Sequence, residues 1–293
     1  MTHAKDAPSL IEKNFNRIDD VSYRDDGIFF RKKANKISRI YDDKISPDQN
    51  AERLASINDH DLQFLYKSAH LAAFYTFDKK YLADMQLDLA ELARRKLDSA
   101  NNYADLYATL VSQRKFDDAK LLSKQRPAQT FKPLPIYRDS NKPIEPGPSV
   151  LALSDGPDGL EMRRSVVDLT RPATQIIVVS HPLCHPSKRA MHDIQADPAF
   201  SKAFASHARW ITPQDGNANF DVLARWNKQN PAFSMSPAYR QSDWPMIDIW
   251  ATPAFYFLHN GKVVKTVSGW SKQGNRRELE EGLRQIGLLP LKP

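Results

Sequence analysis

The chain has 293 residues, of which 41% are hydrophobic and 26% charged, and this length and composition favour two globular domains over one. Its net charge of +7 would suit an anionic partner, but the 35 acidic residues are interspersed with the 42 basic ones, so we expect no binding to nucleic acid. A single cysteine excludes an internal disulfide and a multi-cysteine zinc site, and no run approaches the ~18–20 apolar residues needed for membrane insertion.

Residues 1–50 are mostly polar, and we expect a partly irregular arm with one or two helices. Two apolar patches, at 28–30 and 37–41, would dock this arm onto a neighbouring element. The N-terminal segment lacks the apolar core of a signal peptide. We therefore expect either a cytoplasmic protein or a periplasmic or otherwise exported one in its mature form, and the single cysteine favours the exported one.

Residues 51–126 follow a helical period and contain neither proline nor glycine. The first apolar stripe recurs at i, i+3, i+4, i+7 and i+11, and its members are Leu62, Leu65, Tyr66, Ala69 and Ala73. Three further stripes follow before residue 126. We predict helical hairpins across this range, which together with the arm make a helical domain over 1–126.

One stretch of this helical range, residues 106–122, resembles a tetratricopeptide-type hairpin. An offset of 35 residues aligns Tyr75 with Leu110 and Tyr81 with Phe116, which hints at a second repeat unit. The alternative is an antiparallel helical bundle without repeat ancestry.

A proline-rich connector separates the two predicted domains. Six prolines lie within 127–148, at positions 127, 133, 135, 143, 146 and 148. Such a density of proline is typical of an extended, semi-rigid linker. We place the domain boundary here, with the second domain over 149–293.

Strands and helices alternate after the connector. The strands are predicted at 149–155, 160–169, 175–180, 208–213, 252–258 and 262–270. The helices are predicted at about 185–206, either continuous or interrupted near Pro198, at 219–229 and at about 273–286. The run at 175–180 is continuously apolar and rich in β-branched residues, which indicates a buried central strand. The sequence His259-Asn260-Gly261 is a strong signal for the turn of a hairpin.

Two segments of this second half resemble the thioredoxin-like superfamily. QIIVVSHPLCHPSKRAMHDI is similar to the strand, active-site turn and first helix of that family, and WATPAFYFLHNGKVVKTVSGW is similar to its cis-proline strand and following hairpin. The resemblance covers about half of the chain. It implies an α/β thioredoxin-like C-terminal domain that follows a mostly α-helical N-terminal domain.

The single cysteine lies in the motif Cys184-His185-Pro186-Ser187, at the predicted start of a helix. Free backbone N–H groups and the helix dipole favour a thiolate at that position, and the thiolate is the reactive form of cysteine. The redox motif of the family is C-x-x-C, whereas here Ser187 takes the place of the resolving cysteine. The motif therefore predicts a mixed disulfide that only an external thiol can release.

The candidate site extends beyond the cysteine. We expect a catalytic set of Cys184, with His185 lowering its pKa and Ser187 donating a hydrogen bond to the thiolate. The resemblance implies a cis peptide bond at Thr252-Pro253 that presents backbone to an extended substrate. The remaining substrate-binding candidates are His181 and Trp250. We expect no metal, because Cys184, His181 and His185 lack a fourth ligand, and we expect no cofactor.

The leading hypothesis is a single-cysteine thioredoxin-like protein, a monothiol thiol–disulfide oxidoreductase whose partners are protein thiols or disulfides, or glutathione. The alternative is a redox-inactive binding or assembly protein whose helical domain and 230–250 loop recruit a partner. In that case Cys184 is an inert buried thiol. The aromatic and methionine residues of 230–250 either form a peptide-binding lip beside Cys184 or cover the core. A glutaredoxin-like protein holding an iron–sulfur cluster is disfavoured, because that family carries Gly-Phe where this chain has His185-Pro186.

Overall fold

A computed structural model of the chain describes residues 7–23, 30–138, 146–217 and 219–290, with the side chain of residue 30 excepted. The predicted apolar patch at 28–30 therefore lies outside the described side chains. Contacts divide the chain into two units. The first comprises Met1–Lys132 and Asp215–Ala218, and the second comprises Pro133–Gln214 and Asn219–Pro293.

The first unit is helical throughout its described secondary structure. Its helices are α1 (Leu10–Tyr23), α2 (Phe30–Lys44), α3 (Ala51–Ser56), α4 (Asp59–Thr76), α5 (Lys79–Arg94), α6 (Ala100–Ser112) and α7 (Phe116–Gln125). The predicted stripe on α4 is buried in full, from Leu62 to Ala73. The arm predicted at 1–50, with one or two helices, contains two helices, α1 and α2, within its described residues.

Local sequence fixes where these helices begin. The side chains of Asn58, Asp78 and Ser99 cap α4, α5 and α6 by accepting hydrogen bonds from backbone N–H groups of the first turn. Ser99 and Asn102 form a reciprocal capping box. The helices therefore stop and restart at polar caps, which explains how hairpins form in a range without proline or glycine.

The helices pack as successive pairs. α4 contacts both α1 and α2, and α6 contacts both α4 and α5. The first helix of a pair thus lies against both helices of the pair before it. Tyr81 and Phe116, which the offset of 35 residues aligns, are both buried near the start of the second helix of a pair. The tetratricopeptide-like interpretation stays a prediction, although this packing is compatible with it.

The second unit contains two sheets and four helices within its described residues. Its elements are β1 (Ile136–Tyr137), β2 (Ser149–Gly156), β3 (Gly159–Val166), β4 (Thr174–Val179), α8 (His185–Ala196), α9 (Pro198–His207), β5 (Ala208–Thr212), α10 (Phe220–Gln229), β6 (Met235–Pro237), β7 (Ala254–His259), β8 (Lys262–Ser268) and α11 (Arg276–Gln285). The strand orders are β1-β3-β2 in the smaller sheet and β6-β5-β4-β7-β8 in the larger.

The larger sheet is built around β4. β5 pairs with β4 in parallel and β7 pairs with it antiparallel, while β8 forms a hairpin with β7. Alternate residues of β4 face opposite sides: Ile176 and Val178 belong to one buried cluster, Ile177 and Val179 to another. The first cluster holds residues of α8, α9, α10 and α11, so these helices cover one face of the sheet. β4 is therefore the buried central strand that its apolar run predicts.

Two segments differ in detail from their predicted form, and in a third the structure decides between open alternatives. The helix predicted at about 185–206 is interrupted next to Pro198, where the side chain of Asp197 caps α9. The predicted connector contains β1, which pairs with β3. The predicted loop after α10 contributes β6 as a fifth strand of the larger sheet.

Candidate functional site

Cys184 lies at the N-cap of α8, five residues after the end of β4. Pro186 occupies the first turn of this helix, where the missing backbone donor costs little. The backbone carbonyl of Cys184 accepts a hydrogen bond from the N–H of Lys188. The backbone N–H of Cys184 donates to the carbonyl of His181 at 3.0 Å. The side chain is half-buried. The cysteine is thus partly accessible and is not interred in the core.

The antiparallel pairing of β4 with β7 brings a distant segment to Cys184. Val179 at the end of β4 pairs with Ala254 at the start of β7. The segment that follows β4 and the segment that precedes β7 therefore lie at the same end of the two strands. The Cys184 thiol donates a hydrogen bond to the carbonyl oxygen of Thr252 at 3.3 Å. The Thr252–Pro253 peptide bond is cis. The structure therefore brings Cys184, Thr252 and Pro253 together.

The thiol of Cys184 titrates below its ordinary range. Burial acts to raise its pKa, but the Ser187 hydroxyl, the Thr252 side chain, the Ser187 backbone N–H and the charge of Arg189 together outweigh burial. The net effect is a lowered pKa. A larger fraction of this sulfur is therefore thiolate at neutral pH than in an ordinary cysteine.

Ser187 is 2% exposed and lies in the first turn of α8. The Ser187 Oγ makes no hydrogen bond of ordinary geometry to any described residue. Its hydroxyl nevertheless acts as a donor toward the Cys184 sulfur, and this is one of the causes of the lowered pKa. Because a buried hydroxyl that does not donate is costly, the sulfur is the acceptor that the position of Ser187 implies.

Arg189 is a residue of the site that the sequence reasoning missed. Its charge lowers the pKa of Cys184, and its guanidinium donates to the carbonyl of Trp270 at 3.1 Å. The indole N–H of Trp270 in turn donates to Asp193 on α8 at 3.0 Å. These two hydrogen bonds connect α8 to the segment after β8. The signal in the sequence was the Lys-Arg pair that directly follows the motif.

The same segment also reaches Pro253. The N–H of Gly269 donates to the carbonyl of Pro253 at 2.8 Å. Gly269 adopts a left-handed φ of 75°, which favours glycine at this position. The turn after β8 therefore supports both sides of the site, α8 through Arg189 and the cis-proline segment through Gly269.

The two predicted histidines have different surroundings. His181 is half-buried, and its Nδ1 accepts the N–H of Leu183 at 3.1 Å, so it shapes the turn that leads to Cys184. His185 is exposed at the start of α8. The positive charge that lowers the pKa of Cys184 comes from Arg189, and the activating role of His185 stays a prediction.

Trp250 and the segment before it mostly serve the core. Phe233 and Met235 are buried in one cluster, and Trp244 and Ile247 in the other. Trp250 is half-buried and packs against the second cluster. Of the two interpretations of residues 230–250, the structure favours a cover for the core over an exposed aromatic lip. The role of Trp250 in substrate binding stays a prediction.

No group of three histidine, cysteine, aspartate or glutamate side chains among the described residues has the arrangement needed to hold a metal ion. No helix in the described ranges is both long enough and apolar enough to cross a membrane.

Comparisons with known proteins add little to this description. No protein-family model matches the chain, and no curated protein matches it. Among solved structures, a thioredoxin-like protein from Bacteroides caccae aligns over 97% of both chains with 12% identity and a TM-score of 0.29. A likeness this weak supports no conclusion about fold or function.

The fold is instead evident from the chain itself. A parallel β4–helix–β5 unit is followed by the antiparallel β7–β8 hairpin and α11, with β4 at the centre of the sheet. The cysteine and the cis-proline segment lie together at one end of β4 and β7. The protein therefore has an α/β thioredoxin-like C-terminal domain that follows a mostly α-helical N-terminal domain.

Proposed function

We propose that the protein carries out thiol–disulfide exchange through Cys184, forming mixed disulfides with protein thiols or with glutathione. The observation that carries this proposal is the half-buried Cys184 thiol. It is hydrogen-bonded to the carbonyl of Thr252, just before β7, and its pKa is lowered. A reactive cysteine requires such an environment, whereas a structural cysteine is buried among apolar groups.

In the proposed reaction, the Cys184 thiolate attacks one sulfur of a substrate disulfide. A new S–S bond forms to Cys184, the substrate S–S bond breaks, and the second substrate sulfur leaves as a thiolate that takes a proton from solvent. The chain contains no second cysteine. An external thiolate must therefore attack the mixed disulfide to regenerate Cys184, and a small thiol such as glutathione suits this step.

The neighbouring residues take supporting roles in this proposal. Ser187 and Arg189 stabilise the thiolate, and the backbone at Thr252-Pro253 pairs with an extended substrate. His181, His185 and Trp250 border the substrate, and the helical domain selects the partner. We place the protein in the periplasm or another exported compartment. Stray thiols form unwanted disulfides in an oxidising compartment, and this chain contains only one cysteine.

A disulfide reagent tests the proposal directly. Wild-type protein mixed with glutathione disulfide at pH 7 is expected to gain one glutathione, detected by mass spectrometry and released by dithiothreitol. The Cys184→Ala variant should gain none. A reaction rate no faster than that of free cysteine at the same pH would contradict the proposal, because the lowered pKa of Cys184 predicts a larger thiolate fraction.

The alternative is a redox-inactive binding protein, and the serine at position 187 favours it, because that residue removes internal release. Leu183, beside the cysteine, is 50% exposed and supplies an apolar contact for a partner. Under this alternative, Cys184→Ser retains the biological activity and Leu183→Asp loses it. Under the leading proposal, Cys184→Ser loses that activity.

A further inference from the structure

The buried hydroxyl of Ser187 points to a reaction of Cys184 beyond disulfide exchange. Ser187 is 2% exposed, and its Oγ makes no hydrogen bond of ordinary geometry to any described residue. The hydroxyl lies where it can donate to ionised sulfur. A buried donor in that position can also stabilise an oxygen atom added to the sulfur.

We propose that Cys184 is a site of reversible oxidation by a hydroperoxide, and that Ser187 stabilises the sulfenic acid that forms there. This inference rests on the proposed function, because both require a reactive thiolate at Cys184. It adds a second class of co-substrate, either hydrogen peroxide or a small organic hydroperoxide.

The step balances as a two-electron transfer. The Cys184 thiolate attacks the terminal oxygen of the hydroperoxide, an S–O bond forms and the O–O bond breaks. Sulfur is oxidised to a sulfenic acid and the hydroperoxide is reduced. The hydroperoxide proton stays on the sulfenic oxygen, and the departing hydroxide or alkoxide takes a proton from solvent to leave as water or an alcohol.

The composition of the chain decides the fate of this product. Since Cys184 is the only cysteine, no thiol within the chain can condense with the sulfenic acid. An external thiol attacks the sulfur instead, and the oxygen leaves as water, which produces a mixed disulfide. Hydroperoxide oxidation therefore leads to a mixed disulfide, as the proposed exchange reaction does. In the oxidation route the partner is a thiol, whereas in the exchange reaction it is a disulfide.

The experiment uses the full chain, hydrogen peroxide and dimedone, a reagent that traps sulfenic acids. Wild-type protein is treated with peroxide, then with dimedone after increasing delays, and the adduct is measured by mass spectrometry. We expect one adduct, absent in Cys184→Ala. In Ser187→Ala we expect the sulfenic acid to be lost about tenfold faster, to sulfinic and sulfonic acid, since a buried hydrogen bond to the sulfenic oxygen is removed.

A second variant gives an independent readout. Ser187→Cys supplies a thiol where the structure places the hydroxyl, so peroxide should yield an intramolecular disulfide and no dimedone adduct. The Ser206→Ala variant removes an exposed hydroxyl on α9 and should match the wild type. Wild-type protein that reacts with glutathione disulfide but gives no dimedone adduct would overturn this inference alone. Failure of both reactions would overturn the proposed function as well.

Discussion

Cys184 and Thr252 are 68 residues apart in sequence, yet the thiol of one donates to the carbonyl of the other at 3.3 Å. The pairing of β4 with β7 creates this contact, because it aligns the end of one strand with the start of the other. The contact places the thiol beside the cis Thr252–Pro253 peptide bond, just before β7 begins. The proposed chemistry depends on this position of the thiol beside the Thr252–Pro253 backbone.

The first prediction concerns Arg189. Its charge lowers the pKa of Cys184, so Arg189→Gln should raise that pKa and leave less thiolate at pH 7. Since Arg189 is exposed and its charge is screened, we expect the rate of alkylation by iodoacetamide at pH 7 to fall by only about two- to fivefold.

The control for this variant is its neighbour on α8. Lys188 is also exposed but is not among the groups that lower the pKa of Cys184. Lys188→Gln should leave the pH profile of alkylation unchanged. An equal shift in both variants would show that Arg189 acts only through the overall charge.

The second prediction concerns Asp88, which is fully buried on α5 and accepts a hydrogen bond from Gln49 at 3.0 Å. Burial is the main cause that raises its pKa from 3.8 to about 8. Because the folded state holds this proton more tightly than the unfolded state, the protonated carboxyl stabilises the fold. That contribution is complete below pH 3.8 and is lost as the pH rises through about 8.

Asp88→Asn should therefore remove this pH dependence. The difference in unfolding free energy, variant minus wild type, should be at least about 1 kcal/mol larger at pH 9 than at pH 5. Urea denaturation at the two pH values measures this difference. Asp43→Asn, which changes an exposed carboxylate on α2, serves as the control and should follow the wild type.

The third prediction tests whether residues 230–250 belong to the core. Trp244 is fully buried, and its indole N–H donates to the carbonyl of Ser149 at 3.3 Å. Trp244→Phe removes this hydrogen bond and part of the packed surface, so we expect a loss of about 1–3 kcal/mol in unfolding free energy. Ser242→Ala, an exposed change in the same segment, should cost almost nothing. A neutral Trp244→Phe would favour a free, partner-binding loop.

The fourth prediction concerns Gly282 on α11. Alanine favours a helix by about 1 kcal/mol over glycine, so helix propensity alone predicts that Gly282→Ala is stabilising. However, a Cβ atom at this position would meet the ring of Phe257 on β7 well inside van der Waals contact. We expect the clash to dominate and the thermal midpoint to fall. A higher midpoint would show that α11 can move away from the sheet at little cost.

Much of the candidate site was predictable because it is local in sequence. Cys184, Pro186 and Ser187 belong to one motif, and a helix start after an apolar strand can be inferred from four or five adjacent residues. Arg189 was missed for the opposite reason. Its importance depends on Trp270, which lies 81 residues away, and the single sequence does not specify that contact.

The sequence by itself determined the order of the strands and helices except for the short strands β1 and β6, the helical first half and the position of the lone cysteine. These follow from hydrophobic period, caps and turn residues, which act over a few neighbours. Tertiary structure alone decided that Phe233 and Trp244 are buried, that the Ser187 hydroxyl is buried beside the sulfur, and that Arg189 reaches Trp270. Burial and hydrogen bonding depend on which distant segments pack together, and the pairing of β4 with β7 sets that for this site.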